Sequence, residues 1–377
     1  MPWQNEDAEA EDGCAWERRV QDLTALLSAS AVQLRSLDLW YPTYAPQIYA
    51  LDLSSDIRQL SQLTSLTWGQ NYTPVSTENV VAMLQGLPML QHLSLAGLVS
   101  DLGEFTVKVA TSCPRLTSLH ISQNQRPMQA PLVVSEFGLL TNLVELNLHH
   151  MLLGSLPDSI SRLTSLQRLS IMDDDISITL PMGLTACQQL SRLHMMSDMH
   201  SPVLGQLTAL QQLDVYVLRY YPQHSMSWPK LTALRELELR FEVKDDWRVN
   251  EIPSELAGMT GLRKLTISHA ERGNISDIPE GPYLHGLETL CLYDCSFLSG
   301  LPGHLAAATQ LRHLTVTLDF YTSLDTFFRI LGCLQALETL SMSHLERVHR
   351  SSWKSALKQF NGECIALGRK PPVIEYK

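Results

Sequence analysis

The sequence lacks any run of about 18–20 apolar residues, the length that a membrane span needs. Its acidic start has neither the basic start and apolar run of a secretory signal nor the arginines of a transit peptide. Basic residues are also in the minority, because 28 Lys and Arg stand against 39 Asp and Glu, a formal net charge of −11. These deficits argue against nucleic acid and membrane as partners, and we expect a cytoplasmic protein, with a nuclear location as the alternative.

The cysteines are few, and their number of seven is odd. Scattered thiols favour a reducing compartment over a disulfide framework. Cys291 and Cys295 lack the second pair that a zinc site needs, and the acidic run 173–175 lacks the spacing of a calcium loop, so we expect a solvated loop there and no metal. Enzyme motifs such as a Gly-rich phosphate loop are missing, which predicts a protein that is not an enzyme and has no cofactor.

One phrase, Leu-x-x-Leu-x-Leu, recurs along the whole chain instead. Successive copies begin 20 to 29 residues apart, and chance does not produce such even spacing. A fixed period of this length is typical of repeat proteins, in which each repeat is one structural unit stacked on the next. The thirteen copies begin at Leu34, Leu63, Leu90, Leu116, Leu143, Leu166, Leu190, Leu210, Leu234, Leu262, Leu287, Leu311 and Leu337.

The end of each phrase predicts a short strand. In the copy that begins at Leu143, apolar residues alternate with polar ones, so Leu146 and Leu148 point inward while Glu145 and Asn147 point outward. Each strand is expected to pair in parallel with the equivalent strand of the next repeat, about 4.8 Å away. The strand side is narrower than the return side, so the stack is expected to curve.

The chain resembles the leucine-rich-repeat family from about Leu23 to Leu345. The segment 156–169 is similar to plant, algal and Ras-group intracellular repeats, and 112–116 is similar to the cysteine-containing subtype. The resemblance implies an α/β solenoid, shaped like a horseshoe, with a parallel sheet on its concave face. Short helices, 3₁₀ turns or extended segments would form the convex face, with a helix over 77–84 among the longer early repeats.

The family often places Asn or Cys nine residues into the repeat, where the side chain bonds the backbone of the neighbouring loop. Several copies here depart from that pattern, which argues against a regular ladder and a uniform curvature. The positions that match are Asn71, Asn124 and Cys295, and Asp174, Asp198 and Asp319 are candidate substitutes.

The two ends of the array need covers, because terminal repeats expose their leucines. An amphipathic pattern over 16–27 predicts a capping helix whose apolar side includes Leu26 and Leu27. Trp353, Leu357 and Phe360 predict a second helix, either a cap or a site for partner docking. The predicted organisation is an acidic disordered leader (1–13), an N-terminal capping helix (14–33), a solenoid of about thirteen repeats (34–349) and a C-terminal capping helix with a tail (350–377).

The outward positions of the fourth to ninth strands form the candidate binding surface. His, Met, Tyr and Arg are residues that protein interfaces favour. A merely solvated face, or a metal or catalytic site, is the alternative interpretation. The candidate residues are His120, Asn147, His149, Arg168, Met172, Arg192, His194, Met196, Tyr216 and Arg240.

These features predict a scaffold, in the manner of a signalling adaptor, that binds another protein on its concave face. Two further functions remain open at this point. One is a substrate adaptor in ubiquitin ligation, although the short N-terminal stretch contains no clear F-box. The other is sensing of a small molecule or metal in the concave pocket.

Overall fold

The structure of the chain is a computed structural model. Two compact units make up the chain, residues 1–152 and residues 153–377. The described residues are 13–30, 33–40, 54–69, 77–97, 102–122, 135–151, 153, 155–173, 178–197, 201–217, 228–241, 252–273, 277–295, 301–317, 323–343 and 350–376.

The described residues of the first unit include five parallel strands that follow one another in sequence order. Helices and the 3₁₀ turn Ser135–Leu139 connect them along the return side. The strands are β1 (Ser36–Trp40), β2 (Ser65–Gly69), β3 (His92–Ala96), β4 (Ser118–Ser122) and β5 (Glu145–His149). The helices are α1 (Gly13–Ser30), α2 (Ser54–Ile57), α3 (Thr77–Leu84) and α4 (Leu102–Ser112).

In the second unit, the part that the structure describes has nine strands, again parallel and in sequence order. Its return side consists mainly of 3₁₀ turns. The strands are β6 (Arg168–Met172), β7 (Arg192–Ser197), β8 (Gln212–Val217), β9 (Glu236–Phe241), β10 (Lys264–Gly273), β11 (Thr289–Cys295), β12 (His313–Thr317), β13 (Thr339–Ser343) and β14 (Val373–Tyr376). The helices are α5 (Leu324–Cys333) and α6 (Arg350–Ala366). The turns are Asp158–Arg162, Met182–Ala186, Leu204–Gln206, Trp228–Lys230, Ser254–Gly258, Pro282–Gly286 and Gly303–Ala307.

This architecture confirms the predicted fold class, a repeat solenoid with one parallel strand per repeat. Each copy of the leucine phrase leads into a strand, and α3 has the bounds expected from the sequence. The inward residues of the strands form the core; on β6, for example, Leu169 is 2% exposed and Ile171 is 1% exposed. The later and shorter repeats return through 3₁₀ turns, as their length predicts.

Two buried cysteines tie neighbouring repeats together on the return side. Each lies three residues before a phrase, and its thiol donates to a carbonyl of the preceding repeat. The Sγ atom of Cys113 lies 3.8 Å from the Leu84 oxygen, and that of Cys187 lies 3.4 Å from the Ile160 oxygen. The sequence reasoning assigned Cys113 to the cysteine-containing subtype but missed Cys187, although both stand in the same Cys-x-x-Leu setting.

The helix α1 packs against α2 through a narrower apolar side than the sequence predicts. Leu27 is buried, whereas Leu26 is 64% exposed, so the expectation that Leu26 belongs to the apolar side is wrong. Consecutive helical residues point about 100° apart, so a narrow contact takes only one of them. The predicted leader lies outside the described residues over 1–12, as do the ladder positions Asn71, Asn124, Asp174, Asp198 and Asp319.

The C-terminal helix α6 packs on α5 through the predicted aromatic side chains. Trp353 and Phe360 are buried, and their rings lie 5.0 Å and 5.4 Å from that of Phe328, while Leu357 is half-buried. The tail after α6 forms β14, a strand that the sequence reasoning did not find. Within the described part of the chain, the helices are all too short or too polar to cross a membrane.

The inward position of Leu169 yields a test of the fold. We expect Leu169→Asp to lower the free energy of unfolding by roughly 3 kcal/mol or more, because it removes a packed side chain and buries an unpaired carboxylate. Thr164→Asp is the matched control, since Thr164 is exposed and lies only two residues before the leucine phrase that contains Leu169. Chemical denaturation of both variants measures the difference. Equal stabilities would contradict the inward assignment.

Candidate functional site

The strand register of the second unit brings outward side chains into rows. On β7, β8 and β9, His194 lies beside Asp214, which lies beside Glu238. At the next outward position of β8 and β9, two residues further along each strand, Tyr216 lies beside Arg240. Adjacent strands stand about 4.8 Å apart, so these side chains share one surface. We refer to these five residues as the Arg240 cluster.

Arg240 holds the cluster together. Its Nε lies 2.6 Å from a Glu238 carboxylate oxygen, and one of its terminal nitrogens lies 3.5 Å from the Asp214 Oδ2. The other terminal nitrogen donates a hydrogen bond to the Tyr216 hydroxyl. The guanidinium carbon also lies 4.8 Å from the centre of the Tyr216 ring. Arg240 is therefore fixed by residues of two strands while its side chain remains 37% exposed.

The imidazole of His194 lies between a hydroxyl and a carboxylate. Its Nδ1 lies 3.1 Å from the Ser170 Oγ, and its Nε2 lies 3.5 Å from the Asp214 Oδ2. Serine, histidine and aspartate in this order form the relay of serine hydrolases. Here Ser170 is only 9% exposed and belongs to a strand whose backbone pairs with β7. This burial fits a role in orienting His194 better than a role as nucleophile.

Burial and charge shift the titration of these groups. Burial, followed by the charge of Arg240, lowers the pKa of His194 despite the opposing effect of Glu238. Burial, followed by the charge of Glu238, raises the pKa of Asp214 to about 6, although Arg240 and Lys264 oppose the shift. Burial also tends to lower the pKa of Arg240, but its hydrogen bond to Glu238 and the nearby acids outweigh that effect and raise it.

Two buried polar atoms of the cluster have no hydrogen-bond partner. They are the Nε2 atom of His194, which lies 3.5 Å from the Asp214 Oδ2 without a hydrogen bond, and the Oδ1 atom of Asp214. An ionised carboxylate in this position lacks water on one side and lies near the charge of Glu238, so its ionisation is costly. At neutral pH the imidazole of His194 is therefore uncharged, and the neighbouring carboxylate of Asp214 is ionised despite its unfavourable surroundings.

The structure divides the predicted site residues between the two units. In the first unit, the rings of His120 and His149 lie 5.0 Å apart, edge to face, and Asn147 donates to Glu145 at 3.1 Å. Burial lowers the pKa of His120, and Glu145 opposes this. In the second unit, Arg192 is exposed and Arg168 and Met172 are half-buried. Only His194, Tyr216 and Arg240 among the predicted residues meet in the Arg240 cluster.

Met196 differs from its prediction. Its backbone lies beside Tyr216 in the outward row, but its side chain is only 4% exposed. The alternation of a strand sets the direction of a side chain but not what covers it. Met196 therefore offers a partner almost no surface.

The sequence reasoning missed three polar members of this region, Ser170, Asp214 and Glu238. The alternation that selected His194 places all three on the same middle row. The outward alternation of the strands therefore identifies these three residues. A choice based on the residue types that interfaces favour does not include serine, aspartate or glutamate.

The acidic run after β6 also differs from the predicted solvated loop. Asp173 is 3% exposed, and its Oδ2 accepts a hydrogen bond of 3.1 Å from the Leu153 backbone N–H. This carboxylate therefore stabilises the backbone of the neighbouring loop and is not exposed to solvent. Asp174 and Asp175 lie outside the described residues. Across the part of the chain that the structure describes, no group of three or more His, Cys, Asp or Glu could hold a metal ion.

A buried histidine lies away from the cluster. His269 is 3% exposed and stacks on Phe241, with ring centres 4.9 Å apart. Burial, opposed by the charge of Asp294, lowers the pKa of His269 to about 4. The stacked ring is consequently neutral at physiological pH and acts as an aromatic core residue.

The two neighbouring thiols on β11 have different surroundings. Cys295 is fully buried, with its Sγ 3.7 Å from the Ile267 oxygen and 3.2 Å from the Tyr293 oxygen, whereas Cys291 is half-buried on the outward side. Burial, with the charge of Asp294, raises the pKa of Cys295. Access and thiolate formation are therefore both restricted at Cys295.

We expect a thiol reagent to modify Cys291 much faster than Cys295 under native conditions, because only thiolates that the reagent can reach react. Mass spectrometry of time-resolved alkylation measures both rates. A denatured sample serves as control and should label the two thiols at similar rates. Equal native rates, or joint protection that a chelator removes, would contradict the assignment and favour a shared metal.

The raised pKa of Asp214 predicts a stability change with pH. In the folded state Asp214 keeps its proton up to about pH 6, whereas in the unfolded state it loses that proton near its ordinary pKa of 3.8. Between these two pH values the folded state binds more protons than the unfolded state, so the contribution of Asp214 makes the free energy of unfolding fall as the pH rises. Asp214→Asn should therefore match the natural protein at pH 4 and exceed it at pH 8 by at least about 1 kcal/mol, or roughly 2 °C in Tm.

Thermal melts of both proteins at the two pH values check this expectation. Glu236→Gln is the control, because Glu236 is an exposed carboxylate on β9 that lies 3.7 Å from Lys264. It should show no comparable gain at pH 8. A Tm difference for Asp214→Asn that is independent of pH would be evidence against the buried, destabilised carboxylate.

Comparisons with known proteins agree with the repeat fold. A family model described as a leucine-rich repeat region matches residues 129–363. No curated protein matches the chain. Among solved structures, a leucine-rich-repeat protein of Leptospira interrogans is 19% identical, with a TM-score of 0.41 and coverage of 90% of this chain and 97% of its own. An internalin of Listeria monocytogenes is 20% identical, with a TM-score of 0.47 and coverage of 79% and 89%.

A third structure, TLR13 in complex with ssRNA13, is 17% identical, with a TM-score of 0.50. The match covers 84% of this chain and 52% of TLR13. At this level of identity the likeness concerns the fold alone.

Proposed function

We propose that this chain, because it belongs to the leucine-rich-repeat family, is a protein-recognition scaffold that binds a partner on the outward face of β6–β9. The observation that carries the proposal is the Arg240 cluster. It combines a half-buried tyrosine and a partly exposed arginine, which are both residues that dominate the energy of protein interfaces.

The fixed position of Arg240 supports this role. A free arginine loses much side-chain entropy when it binds, and that loss weakens association. Here two carboxylates and the Tyr216 hydroxyl already hold the guanidinium in place. Arg240 would therefore lose little further side-chain entropy when a partner binds, because its side chain is already ordered in the folded chain.

The local charge favours a protein partner over a nucleic acid. Asp214, Glu236 and Glu238 lie on the two strands that carry Tyr216 and Arg240, and Glu238 already neutralises the guanidinium. A phosphate backbone requires uncompensated Lys and Arg. A surface with mixed charges and an aromatic ring fits a polypeptide with complementary hydrogen-bonding groups.

The location and mode of action follow from the same proposal. We propose that the chain acts in the cytoplasm or nucleus, which its scattered and odd-numbered cysteines support. It would act by presenting a rigid surface, as a signalling adaptor does, with no chemistry on the partner. Sensing of a small molecule or metal is the alternative class of function, and adaptor activity in ubiquitin ligation is an outcome that the experiment below distinguishes.

The double variant Tyr216→Ala with Arg240→Ala should remove most specific partners from the tagged chain in a nuclease-treated lysate. Truncation of a hot-spot residue costs about 2 kcal/mol or more, roughly a thirtyfold loss of affinity. Quantitative mass spectrometry of the captured proteins measures the loss. The fold should persist, because neither side chain belongs to the inward core, and circular dichroism of the variant checks this.

The matched control is Arg312→Ala with Glu338→Ala. This exposed ion pair, 2.6 Å between Arg312 Nη1 and a Glu338 carboxylate oxygen, lies in the same unit but outside the outward rows of the strands. Its loss should leave the partners unchanged. Capture of ubiquitin-ligase subunits would identify the ligase adaptor. Retention of all partners by the Tyr216/Arg240 variant would rule out the cluster as the binding site.

A further inference from the structure

The Asp214 Oδ2 atom is equidistant from a histidine and an arginine on the two neighbouring strands. It lies 3.5 Å from the His194 Nε2 on β7 and 3.5 Å from a terminal nitrogen of Arg240 on β9. Only the contact with Arg240 is a hydrogen bond, because the His194 Nε2 atom has no hydrogen-bond partner. Since β7 and β9 flank β8, a shift of the carboxylate toward one neighbour moves it away from the other.

The missing bond indicates which nitrogen of His194 carries the hydrogen. A hydrogen on Nε2 would face a carboxylate, which is a strong acceptor, so the absence of a bond there favours a hydrogen on Nδ1. From Nδ1 it donates to the Ser170 Oγ, 3.1 Å away. The buried Nε2 atom and the Asp214 Oδ2 atom are then two acceptors that face each other with no proton between them.

One added proton removes this mismatch. It joins the two acceptors by a charge-assisted hydrogen bond, which has a usual length of about 2.7–2.9 Å, whichever of the two atoms carries it. The proton also cancels the single negative charge that the pair carries without it. Because both side chains are partly buried, that charge is costly to keep.

The charges around the pair bring its two proton affinities together. Burial, followed by the charge of Glu238, raises the pKa of Asp214 to about 6, and burial, followed by the charge of Arg240, lowers the pKa of His194. Two adjacent groups of similar affinity titrate as a unit. Apart from the Arg240 cluster itself, the titratable side chains on the outward face of the paired stretches of β6–β10 are Arg168, Arg192, Glu236 and Lys264.

We propose that His194 and Asp214 form a proton switch, in which one proton taken up between Nε2 and Oδ2 detaches Asp214 from Arg240 and weakens partner binding. The effect on binding rests on the proposed function of the Arg240 cluster. The uptake of the proton and the detachment of Arg240 concern the chain alone.

The detachment follows from the position of the Asp214 Oδ2 atom. Without the proton, the carboxylate is drawn toward the Arg240 guanidinium. With the proton, Oδ2 is bonded to His194, and either its charge is cancelled or an imidazolium competes with Arg240 for it. Arg240 keeps its contact of 2.6 Å with Glu238 but loses its tie to Asp214. Its side chain then gains freedom, and more entropy is lost when a partner binds.

NMR of the full chain, with ¹³C in its histidine and aspartate side chains, tests the proton uptake. The His194 and Asp214 signals should shift together with one midpoint near pH 6. His194→Gln should lower the Asp214 midpoint by about one pH unit or more, because an amide N–H donates to the carboxylate at every pH. The exposed His313 is the internal control, since its signal should not respond to this substitution.

The motion of the Arg240 side chain tests the detachment. In the natural protein the ¹⁵N order parameter of the Arg240 Nε–H group should fall between pH 7.5 and pH 5.5. It should stay high at both values in His194→Gln, where Asp214 remains ionised. It should be low at both in Asp214→Asn, which lacks the charge that holds the guanidinium.

Release of captured proteins from the tagged chain tests the effect on binding. Proteins whose capture depends on Tyr216 and Arg240 should dissociate about fivefold more from the natural chain at pH 5.5 than at pH 7.5. The His194→Gln chain should retain them at both values, which shows that the pH response belongs to this chain and not to the captured protein.

These measurements separate the switch from the proposed function. Independent midpoints that His194→Gln does not move, or an Arg240 side chain equally ordered at both pH values, would overturn the switch. Equal release from the natural and His194→Gln chains would overturn its effect on binding. If no captured protein depends on Tyr216 and Arg240, the proposed function is wrong, and the two NMR measurements alone decide the switch.

Discussion

The structure depends on the burial of inward side chains that a single repeat has no means to cover. Leu169 and Ile171 of β6 are almost fully buried because the neighbouring repeats close over them. The same stacking fixes the register of the strands, and the register fixes which outward side chains become neighbours. The surface of the sheet is therefore a consequence of the core, and each outward row is as regular as the leucines beneath it.

The Arg240 cluster illustrates what such rows allow. Strands β7, β8 and β9 pair without a register shift, so residues far apart in the chain meet on one face. That proximity also brings Asp214 and Glu238 together, and Arg240 only partly compensates their repulsion. A strained polar cluster of this kind reduces stability, which is common where a surface is arranged for recognition and not for folding.

The sequence predicted the fold more completely than the site. The leucine phrase located the strands, and the length of the early repeats located α3. The sequence pattern did not locate β14, because its four residues lack the leucine phrase and follow a helix. Within the site, alternation predicted direction but not coverage, so Met196 was expected to be accessible and is buried. Hydrogen-bond partners such as those of Asp173 depend on loop conformations that a linear pattern does not encode.

The parallel order of the strands has one further consequence, for the way such a chain can diverge. The repeat that carries His194 is the shortest, since the next repeat begins at Leu210, 20 residues after Leu190. Unequal recombination that deleted this repeat as a unit would leave the inward leucines in phase, so the array would still stack. Ser170 would then stand directly beside Asp214, with no imidazole between them. The set of neighbouring outward side chains in this architecture can therefore change by the loss of a whole repeat, without any point substitution.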